Sequence, residues 1–393
     1  MPTYRLFVLL CGFALSSTAI FAQTNMSLIG HLPIADQVSS LWGYAADGRE
    51  YALVGTEGGT IIVDITDPTA PDPLQYINGF PSPLWREIKI WQHYAYVVSE
   101  SGGNVQILDL SNLPGLVTTH TWTGGTWQGN TLTVGKAHTL WIDENGILYL
   151  NGTDLDAVVM ADLNTDPLNP SIVGLYTGGY VHDLYARNDT VWAAEIYNGH
   201  FTVLDVSDKA NPIVLATQTT PSNFTHNTWL SDNGQYLFTT DEKTAAYITA
   251  YDISDLSDIR ETDRYRSSPN SGVIPHNTHV LGNFLVNSYY RDGVTIVDAT
   301  DPYNLVEVGN YDTSPLSGDG FNGVWEVYPY LPSGNLIAGD MEEGLFILHA
   351  DYIQACYLNG TVSDAVTGQN LAGASISIEG FDTYTTQSKF DGT

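Results

Sequence analysis

The chain has little cysteine and little positive charge. Only Cys11 and Cys356 occur in 393 residues, and Cys11 sits in an N-terminal apolar run. Without an internal disulfide, the protein must be held together by its core. Lys and Arg number 13 against 44 Asp and Glu, a net charge of −31. Such a surface repels phosphate backbones and anionic membranes, which argues against nucleic acid as a partner and favours cations. Helical periodicity is missing too, so helix-pair repeats are excluded. There is no GxSxG elbow, no HExxH, no phosphate-binding glycine loop and no CxxC pair.

One apolar run stands out. Arg5 precedes Leu6–Ile20 and then Phe21-Ala22-Gln23, a segment too short to span a bilayer and laid out like a secretory signal cleaved after Ala22. Bulky Leu10 before Cys11 argues against a lipoprotein anchor. Residues 1–22 are therefore expected to be a signal peptide, and the mature chain to be secreted with no transmembrane helix.

What the chain has is repetition. Residues 51–71 read as a strand, a Gly-Gly hairpin, a strand ending in Asp, and an Asp-Pro turn. The unit returns with its closing Asp at Asp64, Asp109, Asp162, Asp205, Asp252 and Asp298, and with His349 in the seventh place. From the position numbers the spacings run 45, 53, 43, 47, 46 and 51 residues. Repeats of that length with several short strands predict a β-propeller. Asp47-Gly48, Asn145-Gly146, Asn188-Asp189, Asn233-Gly234 and Gly282-Asn283 mark hairpins, because such turns need residues that accept positive φ. The seventh repeat lacks a fourth strand, whereas SLIGHL at Ser27–Leu32 has the fourth-strand pattern. A seven-bladed all-β propeller over residues 27–352, closed by that N-terminal strand, is the expected fold.

Three runs, LWREIKIWQHYAYVVSES, FTHNTWL and GFNGVWEVYPYLPSG with its sequel EGLFIL, resemble the choice-of-anchor B family of LVIVD-type repeats. The resemblance covers about Leu28 to Leu348, and is weaker at residues 134–163. It implies an exported, cell-surface propeller whose anchoring domain varies; it implies no set of catalytic residues. GTVSDAVTGQNLAGASISIEG, within residues 356–393, resembles a carboxypeptidase regulatory-like, transthyretin-like β-sandwich module. That module needs more strands than remain, so it is expected to be truncated and the anchor to lie beyond it.

Chemistry is expected at one mouth of the central channel. Four consecutive repeats open their inner strand with His: His138-Thr139, His182-Asp183, His226-Asn227 and His276-Asn277. The second repeat has Arg86-Glu87 at that place, and Phe321-Asn322 is taken as its counterpart in the seventh. Antiparallel pairing returns the end of the second strand to the same face, where Glu57, Glu100, Asp154, Glu195, Asp241 and Asp340 recur. Imidazoles and carboxylates together bind divalent cations or do acid–base work. The candidate metal ligands are His138, His182, Asp183, Glu195, His226, Asp241 and His276. The candidate ligand-binding residues are Arg86, Glu87, Asn227, Asn277 and Asn322. Repeats also inherit structural residues together, so a ring of His can equally serve as hydrogen-bonded framework. Two functions follow: a surface binding scaffold, or a metal-dependent hydrolase or lyase using a divalent cation.

Overall fold

A computed structural model describes residues 23–80, 85–357, 360–378 and 381–388. The expected signal peptide and Leu84 of the first family-like run lie outside the described residues. Internal contacts divide the chain between Ile353 and Gln354 into two units.

The larger unit is a seven-bladed propeller of four-stranded antiparallel sheets. The inner strands are Val38–Ala46, Arg86–Trp91, Thr139–Ile142, Asp183–Arg187, Thr225–Leu230, Thr278–Leu281 and Val324–Tyr328. No helix occurs among the described residues. Each of the six expected Asp residues ends the third strand of its blade. The reason is local: Oδ1 of Asp64, Asp109, Asp162, Asp205, Asp252 and Asp298 accepts the N–H two residues on, closing an Asx turn into the outer strand. The hairpins form where expected, with positive φ at Asp47, Gly48, Gly146, Asn188, Asp189, Gly234 and Gly282. The widest spacing, Asp109 to Asp162, contains an extra hairpin of Gly124–Trp127 and Asn130–Thr133.

The N-terminal strand Met26–Leu32 pairs antiparallel with Gly344–Ala350 and completes the seventh blade. This closure removes two sheet edges. Ile29 and Leu32 pack into the wedge between blades seven and one, with Val38, Leu41, Ile337 and Ile347. Similar apolar wedges lie between the other blades, such as Tyr51, Leu53, Ile88 and Val97 between the first two. Each such buried side chain contributes about 1.5–3 kcal/mol.

In the smaller unit Ser375–Ile378 pairs with Phe381–Gln387, and Asp364 caps a turn by accepting the N–H groups of Val366 and Thr367. Cys356 there is exposed and unpaired by disulfide.

Candidate functional site

Near the start of their inner strands, the second to seventh blades each place side chains at the channel mouth. His138, His182, His226 and His276 stand in a row, with ring centroids 4.2, 4.4 and 4.4 Å apart in turn. Trp325 of the seventh blade continues the row 4.6 Å from His276. All four imidazoles are buried. His226 Nδ1 donates to the carbonyl of His276 at 3.1 Å, and His276 Nδ1 donates to the carbonyl of Trp325. A carbonyl only accepts, so the proton is fixed on Nδ1 and the Nε2 lone pair is left available. His138 differs, for its Nδ1 meets Glu100 Oε2 at 3.2 Å.

Burial holds His182, His226 and His276 neutral. Desolvation, with His138 and His276 nearby, pushes His182 well below its ordinary pKa, and desolvation with His182 and His276 does the same to His226. His276 is lowered to about 4, chiefly by desolvation and against the pull of Glu326.

Glu242 joins the row from the loop after the second strand of the fifth blade. Its Oε2 lies 3.8 Å from His226 Nε2 and its Oε1 4.0 Å from His276 Nε2. The Tyr290 hydroxyl donates to Oε1 at 2.6 Å. Desolvation pushes the Glu242 carboxyl up to about 7, opposed by that hydrogen bond.

A second tier lies one residue deeper, made of Glu87, Asp183, Asn227, Asn277 and Glu326, all facing one cavity of about 30 Å³ with the imidazoles. That volume suits one or two waters or a single ion. Asn227 Nδ2 donates to Asp183 at 2.8 Å, Asn277 Nδ2 to Glu326 at 3.0 Å, and Ser40 Oγ to Glu87 at 3.0 Å. Lys89 pairs with Glu87. Desolvation raises Glu87 to about 7 despite Lys89, and raises Asp183 despite the Asn227 bond. Burial is the largest single influence on Glu326 and raises it, but the hydrogen bond from His279 at 2.8 Å together with the charges of His279, Lys89 and His276 holds this carboxyl below its usual range.

Aromatic rings close the channel underneath. Trp42 meets Trp141 edge-on at 6.5 Å, Trp141 meets Trp229 at 5.0 Å, and Trp229 meets His279 at 4.5 Å. Lys89 Nζ sits 4.2 Å over the Trp42 ring. Contacts from blade one to blades three and six cross the axis, so the channel is a cup with an aromatic floor. Trp85, which is exposed, borders its opening.

The sequence candidates divide in this geometry. His138, His182, Asp183, His226, His276, Glu87, Asn227 and Asn277 line the cup. Arg86 also borders it, but its guanidinium donates to the carbonyls of Thr56 and Phe80 and so fastens two blades. Glu195 accepts from Asn198 at 2.7 Å and meets His200 at 3.1 Å. Asp241 accepts from Thr220, Ser222 and Phe224 and pins a loop. Asn322 bridges Arg291 and Glu342 outside the cup. The expected seventh-blade counterpart, Phe321-Asn322, is corrected to Trp325-Glu326, because the inner strand begins only at Val324. Glu242, Tyr290, His279, Glu326 and Lys89 were not singled out from sequence. Glu242 follows the last strand residue, Asp241, and no pattern in the sequence set it apart from that neighbour.

The LVIVD repeat profile matches residues 48–73, 178–220 and 276–313, which fall in the first, fourth and sixth blades. The chain carries LVIVD repeats. No curated protein sequence matches this LVIVD-repeat propeller. Among solved structures it is similar to the periplasmic gluconolactonase of Pseudomonas aeruginosa, with a TM-score of 0.59 at 13% identity, covering 80% of this chain and 91% of that one. At that identity the likeness is one of fold.

Proposed function

We propose that this LVIVD-repeat propeller is an exported, cell-surface binding protein of the choice-of-anchor B kind that takes the head group of a small ligand into the axial cup. The carrying observation is convergence: side chains from the second to the seventh blade meet in one cavity, buried, polar and floored by aromatics. Acceptors dominate there, with imidazole Nε2 atoms and the carboxylates of Glu87, Asp183 and Glu326 against Lys89. The ligand is therefore one that donates hydrogen bonds, an amine or a polyol, with the exposed ring of Trp85 packing on its body. The likeness to a periplasmic propeller supports export, and residues 356–393 as a carboxypeptidase regulatory-like module would serve as a spacer towards the anchor.

Trp85, Trp141, Trp229 and Trp325 line the cavity, so intrinsic fluorescence reports occupancy. Titration with a panel of amines, polyols and sugars should give a saturable change for one class, lost in Asp183→Asn while circular dichroism is unchanged. A flat response across the panel, or binding indifferent to Asp183→Asn, would overturn the reading.

A second reading, a metal-dependent hydrolase or lyase, is favoured by one observation: His226, Glu242 and His276 present ligand atoms all within 4.8 Å of one another. Turnover of gluconolactones and simple esters, with and without added divalent metal, tests it.

A further inference from the structure

We propose that His226, Glu242 and His276 form a mononuclear site for a first-row divalent metal, held by Nε2, carboxylate and Nε2, with Tyr290 and two backbone carbonyls as its supporting shell. The proposal rests on the metal reading of the mouth and narrows it from seven candidates to three residues, one of them outside that set.

Geometry carries it. The separations from Glu242 to the two Nε2 atoms, 3.8 and 4.0 Å, are too long for hydrogen bonds. They are close to the spacing of about 3.3 Å between two donors bonded at about 2 Å to one tetrahedral ion. Both Nδ1 atoms are tied to carbonyls of the next blade, the arrangement that orients a ligating imidazole and makes its Nε2 the donor. Tyr290 fixes Glu242 in the same way. Two imidazoles and one carboxylate suit Zn²⁺ and its neighbours in the first row and disfavour Ca²⁺ and Mg²⁺, which ask for oxygen alone. Three protein ligands leave a fourth position, and the cavity shared with His182 and Asn277 places it towards the cup, where the ligand's head group would enter.

A framework role for the same histidines accounts for the Nδ1 bonds. It does not account for a carboxylate only 14% exposed, set between two Nε2 lone pairs and bonded by Tyr290 alone among the described residues.

The test is Zn²⁺ binding to full-length protein stripped with chelator, followed by calorimetry and by metal analysis after desalting. One equivalent is expected. Glu242→Gln, nearly isosteric, should weaken affinity ten- to a hundredfold, and Tyr290→Phe by about tenfold. His349→Ala should leave affinity unchanged, because that imidazole is exposed and stands outside the cup. If His226→Ala fails to fold, Glu242→Gln still decides the matter, with circular dichroism confirming the fold. The proposal is overturned by a Kd weaker than about 0.1 mM, by wild-type affinity in Glu242→Gln, or by Ca²⁺ or Mg²⁺ binding as tightly as Zn²⁺. Loss of the metal site with fluorescence-detected ligand binding intact would sink this inference alone and leave the binding reading standing.

Discussion

Asp241 and Glu242 are adjacent acidic residues with opposite employment. The Asp241 carboxylate is buried and accepts hydrogen bonds from Thr220, Ser222 and Phe224, so it shapes the loop leading to His226. Glu242 reaches past it to the imidazole row. Removing Asp241 leaves the half-buried N–H groups of Ser222 and Phe224 without their acceptor, which is expected to cost about 2 kcal/mol of folding stability. Urea unfolding of Asp241→Ala should show this as a lower midpoint with an unchanged slope. Zinc binding of the folded fraction should remain. A variant as stable as wild type would mean that the loop holds itself.

At the scale of the strand, the segment Met26–Leu32 matters most, because it supplies the outer edge of the seventh blade from the opposite end of the chain. It has no freedom to slip: an ideal Cβ on Gly30 would lie 2.0 Å from the Pro68 carbonyl, so only glycine allows the strand to pass the first blade there. A protein beginning after Leu32 would lose this pairing and the Ile29 and Leu32 contacts, and would expose Gly344–Ala350 as an unpaired edge. We expect its thermal midpoint to fall by about 10 °C or more and its aggregation to rise. A peptide of the Met26–Leu32 sequence added in trans should recover part of the midpoint. If the shortened protein melts like the full chain, closure is not what holds the ring.

Across the whole molecule two sets of carboxylates titrate in opposite senses. The turn residues Asp109, Asp205 and Asp252 are lowered: hydrogen bonds from the serine two residues on do this for Asp205 and Asp252, and at Asp109 they outweigh partial burial. Their contribution is present above the unfolded value near 4 and is lost as pH falls through the folded value. In the interior, desolvation raises Glu87 of the cup to about 7 and, with Asp292 and Asp340 near it, Asp312 to about 6. A raised carboxyl holds its proton in the native state where the unfolded chain has released it, so stability falls as pH rises from about 4 to about 7. The two trends place the maximum at mildly acidic pH, near 4–5. Urea midpoints measured from pH 3 to pH 8 check this, and Asp312→Asn should flatten the decline between about 4 and 6. An unchanged decline in that variant would assign it to other groups.

Repetition, hairpin residues and Asp turns were local, and a local pattern is legible in one dimension. They determined the all-β class, the seven blades, the closing strand and the presence of His at four inner-strand starts. Which polar groups share a cavity depended on contacts between blades about 50 residues apart, such as His276 with Trp325 and Asn277 with Glu326. Seventh-blade register had to be seen in space, since its inner strand starts three residues after Phe321. The same holds for Glu242. In sequence it is one more acid after Asp241, and only the folded loop beyond the strand turns it towards the imidazoles of the fifth and sixth blades.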